Sequence, residues 1–151
     1  IHGVRYPPAA REALAAAGIR YGGWLPNAEA PRAFARHRVT VHVPRGPYVR
    51  ELPGIPTIRP FEALACGIPL VSAPWDDVEG LFRAGDFLWA RDGEEMHRHL
   101  RALVADPAMR AEQAARGLRT IRDRHTCRHR VDELLAILAA LRAPSPMETA
   151  C

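Results

Sequence analysis

Arg59-Pro60-Phe61-Glu62-Ala63-Leu64-Ala65-Cys66-Gly67-Ile68-Pro69-Leu70-Val71-Ser72 predicts a short amphipathic helix followed by a buried strand. Pro60 suits the first helical position, and Gly67 can adopt the left-handed conformation that ends a helix. The run from Ile68 to Ala73 is typical of a parallel strand covered on both faces. Four apolar residues have the i, i+3, i+4, i+7 spacing of a core-facing helix: Phe61, Leu64, Ala65 and Ile68.

Glu62 lies off this apolar face, in the predicted first turn of the helix and near the positive end of its dipole. Open α/β sheets bind phosphorylated ligands there, because the first N–H groups of a helix lack partners within it. Thr57 and Arg59 come just before the predicted helix, and an arginine at such a position can bind a diphosphate bidentately. Two alternatives stay open. Glu62 could be a solvated residue that complements the dipole, and Arg59 could pair with Glu62 or Glu51.

Strand and helix patterns alternate along the rest of the chain. Four apolar runs predict strands, at 19–25, 38–44, 68–73 and 87–90. Six patterns predict helices, at 28–38, 60–66, 77–83, 93–105, 109–125 and 128–141, and Gly and Pro predict a loop over 45–57. The alternation predicts an α/β fold, a Rossmann-like parallel sheet flanked by helices and ended by closing C-terminal helices. Asn27 and Thr126 are candidate N-caps.

We expect a single domain over residues 1–142, which is long enough to bury a core. The chain has neither an initiator Met nor a signal-peptide pattern, so we expect that its first strand, near Gly3-Val4-Arg5-Tyr6, is truncated. Pro144, Ser145 and Pro146 predict a disordered tail over 143–151. No apolar run reaches the roughly 18 residues of a transmembrane helix.

The charge of the chain does not predict a nucleic-acid partner. The net charge is +4, but all 21 basic residues are Arg, scattered among 17 acidic ones. Aromatic residues make up 7% of the chain, too few for stacking platforms that bind single strands. The three cysteines are far apart in the sequence, which indicates a reducing, cytoplasmic location rather than a disulfide framework.

The segment from Glu62 to Ser72 resembles the signature E-A-(M/L)-A-x-G-x-P-(V/L)-(V/I)-(A/S) of group 1 glycosyltransferases. Arg-x-Phe-Glu at 59–62 and His-Thr-Cys-x-His-Arg at 125–130 most resemble the bacterial spore-maturation-protein-like (CgeB-like) branch. The similarity covers about residues 3–141. It implies the C-terminal, nucleotide-sugar-binding domain of a GT-B enzyme, which transfers a sugar, of hexosyl type, to an unknown acceptor. Catalysis would need an N-terminal domain, so we expect this chain alone to bind nucleotide without turnover.

The resemblance also implies roles for single residues. Glu62 would bind the ribose hydroxyls, as the second acid of the family's Glu-x7-Glu motif. The first acid should lie eight residues earlier, where this chain has Gly54, and Glu51 is out of register. The catalytic residues and the retaining mechanism are therefore left unassigned. Arg5, after the expected first strand, and Arg45, after the strand over 38–44, are weaker candidates for phosphate binding.

The remaining polar clusters favour structural roles. Asp76-Asp77 predicts an N-cap for the helix at 77–83 rather than a metal or acid–base dyad. His125, Cys127 and His129 lack a matching second cluster, and Cys66 and His42 belong to the predicted core, so we predict no metal. The resemblance implies no cofactor beyond the donor substrate. Two other functions stay open: a non-catalytic nucleotide-binding or scaffolding module of the same fold, and an unrelated doubly wound or response-regulator-like domain.

Overall fold

The computed structural model describes residues 1–52 and 54–142, which form two compact units, Ile1–His37 and the chain from Arg38 onward. The strands are β1 Thr40–His42, β2 Leu70–Ser72 and β3 Leu88–Trp89. The helices are α1 Pro8–Ala16, α2 Ala30–Ala35, α3 Gly46–Glu51, α4 Ile58–Ala65, α5 Gly93–Ala105, α6 Pro107–Arg124 and α7 Cys127–Arg142, and a 3-10 turn, Asn27–Glu29, precedes α2.

The three strands form one parallel sheet in the order β1-β2-β3. Thr40 pairs with Leu70, and Val71 pairs with Leu88. All three residues of β2 are buried, as expected of a central parallel strand covered on both faces. This parallel sheet flanked by helices confirms the predicted α/β, Rossmann-like fold.

Helices pack on both the sheet and each other. A buried cluster contains Val71 of β2, Ala90, which follows β3, and Leu103 of α5. The helix α4 packs on α6 where Gly117 meets Leu64. A Cβ atom at Gly117 would lie 2.5 Å from Leu64 Cδ2 and 3.2 Å from the Asp86 carbonyl oxygen. Glycine therefore allows the two helices to approach this closely.

The helices α5 and α6 begin at aspartate caps. Asp92 accepts a hydrogen bond from the Glu95 N–H, and α5 matches the predicted range 93–105. Asp106 accepts from the N–H groups of Ala108 and Met109. Such caps satisfy donors that have no partner inside the helix, each stabilising it by about 1 kcal/mol.

The first unit differs from the sequence-based expectation. Neither the predicted strand at 19–25 nor the one near Gly3–Tyr6 is formed. The two segments do touch, since the Gly3 N–H donates to the Gly23 carbonyl at 2.8 Å. Gly23 has a φ of +65°, which interrupts the extended run that a ladder needs. Asn27 does not cap a helix through its side chain, because it begins the 3-10 turn ahead of α2.

Three predictions fail in the second unit. Residues 46–51 form α3 inside the predicted loop, because Pro47 is accommodated in the first turn of a helix. The helix predicted at 77–83 is irregular, with one turn at 78–79 and Gly80 at a φ of +60°. The helix α4 begins at Ile58, so Pro60 is its third residue, and Glu62 lies beyond the first turn.

The C-terminal helices close the described chain as predicted, and Gly67, with a φ of +66°, follows α4 as expected. Thr126 immediately precedes α7, and its N–H donates to His129 Nδ1 at 3.3 Å. The predicted tail over 143–151 lies outside the described residues. Among those residues, no helix has the length and apolar character needed to cross a membrane.

Candidate functional site

A buried histidine at the end of β1 joins this strand to β2 and to the start of α4. His42 is only 5% exposed. Its Nδ1 lies 2.9 Å from Ser72 Oγ, at the paired position of β2, and its Nε2 lies 2.9 Å from Thr57 Oγ1. Since Thr57 immediately precedes α4, these contacts hold the start of that helix at the carboxyl edge of the sheet.

The hydroxyl groups indicate the direction of these hydrogen bonds. Ser72 Oγ donates to the Ala73 carbonyl at 2.9 Å, so it accepts a hydrogen bond from His42 Nδ1–H. A neutral imidazole protonated at Nδ1 is an acceptor at Nε2, so the Thr57 hydroxyl donates to it. The Thr57 side chain makes no capping hydrogen bond to α4.

His42 is held neutral at pH 7. Burial, with a smaller contribution from the Arg59 positive charge, lowers the pKa of His42 to about 4. His42 was predicted to lie in the sheet core, and its burial confirms that prediction, but its hydrogen-bond partners were not predicted. The available signal was a titratable residue inside an otherwise apolar strand.

Arg59 and Glu62 form an ion pair on α4. The Arg59 Nη1 atom lies 2.9 Å from Glu62 Oε2, with the Glu62 side chain 24% exposed and the Arg59 side chain 45% exposed. One of the two alternatives raised by the sequence, that Arg59 pairs with Glu62, is therefore formed in this structure. The pair brings a carboxylate acceptor and a guanidinium donor into one turn, which are the groups that hydroxyls and phosphates bind.

A shallow pocket lies at the same edge of the sheet. Trp75, which follows β2, lines it beside His42 and Thr57. The Trp75 Nε1 atom is buried and has no hydrogen-bond partner among the residues that the structure describes. The rest of the lining is largely apolar and comes mainly from α3 and the segment after it: Pro44, Tyr48, Val49, Leu52, Gly54, Ile55 and Asp76.

The two weaker phosphate candidates lie in different units. Arg45 is exposed and immediately precedes α3, just after β1. Arg5 is exposed in the first unit, whereas Thr57, Arg59 and Glu62 belong to the second. Arg5 has a φ of +61°, the only positive value at a residue other than glycine in the described chain.

The position of the missing first acid is occupied by a constrained glycine. Gly54 is buried with a φ of +84°, and a Cβ atom there would lie 2.6 Å from Val78 Cγ2. An acidic residue at this position would be strained by both its backbone and its neighbour. Glu51 is exposed at the end of α3.

Asp77 caps a turn instead of the helix that the sequence predicted. Its carboxylate oxygens accept hydrogen bonds at 2.9 Å from the N–H groups of Leu81 and Phe82. Cys66 is exposed at the end of α4, which corrects its expected place in the core. Partial burial and the Glu62 charge raise the pKa of the Cys66 thiol, which disfavours a nucleophilic role.

The histidines at the junction of α6 and α7 bond to protein groups. His125 Nε2 lies 2.7 Å from the Leu81 carbonyl oxygen, and its Nδ1 accepts from Arg130 at 2.9 Å. The His125 ring also packs edge-on against Phe61 of α4. Throughout residues 1–52 and 54–142, no three His, Cys, Asp or Glu side chains come together as a metal site.

Comparison with known proteins identifies the family. A family model described as "Glycosyl transferase-like" matches residues 1–136. The chain belongs to this family. Membership in the glycosyl transferase-like family implies a nucleotide-sugar donor, while the spore-maturation-protein-like branch stays a prediction. Neither the curated proteins nor the solved structures contain a significant match to the chain.

Proposed function

We propose that this chain is the donor-binding domain of a glycosyltransferase, which holds a nucleotide-diphosphate sugar at the start of α4. Glu62 accepts hydrogen bonds from the ribose hydroxyls, and Arg59 and Thr57 bind the diphosphate. Arg45, beyond β1, is a further phosphate candidate at this edge of the sheet, and Arg5 is one in the first unit. The sugar is transferred to an acceptor that an N-terminal GT-B domain helps to bind.

The contact of His42 with Thr57 carries this proposal. It ties the residue before α4 to the carboxyl end of β1, where open parallel sheets bind ligands. The Thr57 side chain does not cap the helix, and the helix dipole favours an anion at its start. A diphosphate is such an anion, and the family implies a donor that contains one.

The polar and apolar groups of the site suit the rest of a nucleotide. The Arg59–Glu62 pair would open toward two ligand groups, with hydroxyls bound by the carboxylate and phosphate oxygens by the guanidinium. The buried, unpartnered Trp75 Nε1 is a donor at the pocket wall that a bound ligand could satisfy.

Exposed apolar side chains on α7 support the need for a second domain. No residue of α7 is buried. Its large apolar residues are 38% to 77% exposed: Val131, Leu134, Leu135, Ile137, Leu138 and Leu141. Such a surface is typical of an interface. We therefore expect the chain to bind the donor without catalysing transfer when the N-terminal domain is absent.

A non-catalytic nucleotide-binding or scaffolding module is the second candidate. The observation that favours it is the constrained Gly54, which occupies the position of the first acid in the family motif. Donor binding with no transfer in the full-length protein would support this module over the enzyme.

Calorimetric titration of the 151-residue chain with UDP, GDP, ADP and dTDP tests the proposal. We expect one nucleotide to bind and the Glu62→Ala variant to lose at least tenfold in affinity, since hydrogen bonds to charged groups contribute about 1.5–3 kcal/mol. Glu133→Ala is the matched control, because Arg130 and Glu133 form the same i, i+3 ion pair on α7. Failure of the folded chain and of the full-length protein to bind any of the four would overturn the proposal.

A further inference from the structure

The hydrogen bonds that join Thr57, His42 and Ser72 can run in either of two directions. In the direction described above, Ser72 donates to the Ala73 carbonyl, and His42 donates from Nδ1 and accepts at Nε2. The Thr57 hydroxyl proton is then donated to His42 Nε2 and is not available to a ligand. Toward a ligand, its oxygen offers only lone pairs.

The opposite direction satisfies the same side chains without moving a heavy atom. The Ser72 hydroxyl turns from the Ala73 carbonyl to donate to Nδ1, which is 2.9 Å away. His42 loses its Nδ1 proton to solvent and takes one from solvent at Nε2, so no net proton is bound. Nε2–H then donates to Thr57 Oγ1, and the Thr57 hydroxyl proton is released toward a ligand.

A phosphate group distinguishes between these directions, because its oxygens are acceptors only. In the first direction, the Thr57 lone pairs would meet the negative phosphate oxygens. In the second, Thr57 donates a charge-assisted hydrogen bond to them. We propose that binding of the donor's diphosphate reverses this chain of hydrogen bonds, so that His42 is the positioning residue that makes Thr57 a donor. This inference rests on the proposed function, in which the diphosphate binds beside Thr57.

The surroundings of His42 make the two directions exclusive. The side chain is buried, and the Arg59 charge lies close enough to disfavour an imidazolium. With its pKa lowered to about 4, the ring carries one N–H at pH 7, and a donor at one nitrogen requires an acceptor at the other. A charged ring would donate at both nitrogens and could not couple Thr57 to Ser72.

NMR of the chain with 15N-labelled histidine determines which ring nitrogen of His42 carries the proton, because protonated and unprotonated ring nitrogens have different chemical shifts. The His42→Gln variant assigns the His42 signals. We expect Nδ1–H in the free chain and Nε2–H when a nucleoside diphosphate from the titration is bound. The matching nucleoside, which lacks phosphate, should leave the proton on Nδ1.

Two variants test the role of the Thr57 hydroxyl. Thr57→Val removes it with little change in shape and should weaken nucleoside diphosphate binding by roughly tenfold or more. Thr57→Ser keeps the hydroxyl and should keep both the affinity and the tautomer change. If Thr57→Val does not fold, the spectra of Thr57→Ser and of the wild type still test the inference. A change of tautomer on nucleoside diphosphate binding supports it, and an unchanged tautomer overturns it.

The outcomes separate this inference from the proposed function. Nucleoside diphosphate binding with an unchanged tautomer would overturn the inference and leave the donor-binding proposal standing. An Nε2–H tautomer in the free chain, or a reversal caused by the nucleoside alone, would also overturn it. If none of the four nucleotides binds to the chain or to the full-length protein, both proposals fail.

Discussion

Arg59 Nη1 lies 2.9 Å from Glu62 Oε2, one turn further along α4. The ion pair joins the two residues that carry most of the proposed ligand chemistry. Because both side chains are partly exposed, the pair contributes little to folding, and ion pairs of this kind are worth about 0.3–0.5 kcal/mol. Substitution of Arg59 or Glu62 can therefore change nucleotide binding while it changes the free energy of unfolding only slightly.

The Glu62→Ala variant should lose nucleotide binding but keep its fold. We expect its free energy of unfolding to fall by less than about 1 kcal/mol, because only a partly exposed ion pair is lost. Urea unfolding beside the calorimetric titration measures both quantities. A large loss of stability with unchanged affinity would instead assign Glu62 a structural role.

The Arg59→Ala variant should discriminate between ligands with and without phosphate. We expect affinity for the nucleoside diphosphate to fall by roughly tenfold or more and affinity for the nucleoside to stay unchanged, since the guanidinium binds phosphate oxygens. Arg130→Ala, which breaks the comparable pair on α7, is the control. Equal losses for the two ligands would contradict a diphosphate role for Arg59.

Stability should decrease as pH falls below the ordinary pKa of histidine, because His42 is buried in its neutral form. Its pKa is lowered from 6.5 to about 4 in the folded chain, so the unfolded chain binds more protons between these values. From pH 7 to 4.5, this one group should remove about 2 kcal/mol from the free energy of unfolding. Urea unfolding at both pH values measures the loss.

Two histidine variants identify the source of this pH dependence. His42→Gln should flatten it over this range, whereas His97→Gln, at an exposed position on α5, should leave it as in the wild type. An unchanged slope in His42→Gln would show that other groups cause the acid sensitivity.

Gly117→Ala should destabilise the chain even though alanine favours a helix. The new Cβ would lie 2.5 Å from Leu64 Cδ2, and overpacking of this kind costs typically 1–3 kcal/mol. Gly93→Ala is the control, since nothing lies within 4 Å of a Cβ there and α5 should tolerate it. If the two variants unfold at the same urea concentration, the close packing of α4 on α6 does not determine the stability of the chain.

Gly54→Glu, which restores the missing acid of the family motif, should destabilise the fold rather than create activity. The φ of +84° and the 2.6 Å approach of a Cβ to Val78 both oppose it. Gly67→Ala is the control for the cost of the backbone conformation alone, because Gly67 has a φ of +66° and nothing lies within 4 Å of a Cβ there. This control should lower the free energy of unfolding by about 1–2 kcal/mol. Gly54→Glu should cost more than this control, and combining it with Val78→Ala should recover part of the difference.

The sequence patterns that predicted the fold correctly are those whose cause is local or strongly periodic. The helical pattern over 93–105 predicts α5, and Gly67 marks the end of α4. The strands after Arg38 were found from short apolar runs, although each was predicted one or two residues too long at each end. Strand ends depend on where neighbouring strands stop pairing, which no single run contains.

The errors occur where neighbours override local preference. Pro47 suggested a loop but lies in the first turn of α3, and Pro60 suggested a helix start but lies two residues inside α4. The apolar run at 19–25 lies beside residues 1–3, but the φ of +65° at Gly23 interrupts it, and the run remains irregular. The sequences of these segments alone do not distinguish the predicted structures from the observed ones.

The candidate site is divided in the same way. Local motif and helix pattern were enough to single out Thr57, Arg59 and Glu62, because they lie within one short segment whose residue types suit phosphate and ribose. The pairing of His42 with Thr57 and Ser72, by contrast, joins residues 15 and 30 positions apart and arises only when two strands and α4 meet. Periodicity and residue type are properties of the chain, whereas burial, tautomer and pKa are set by atoms that only the folded core brings together.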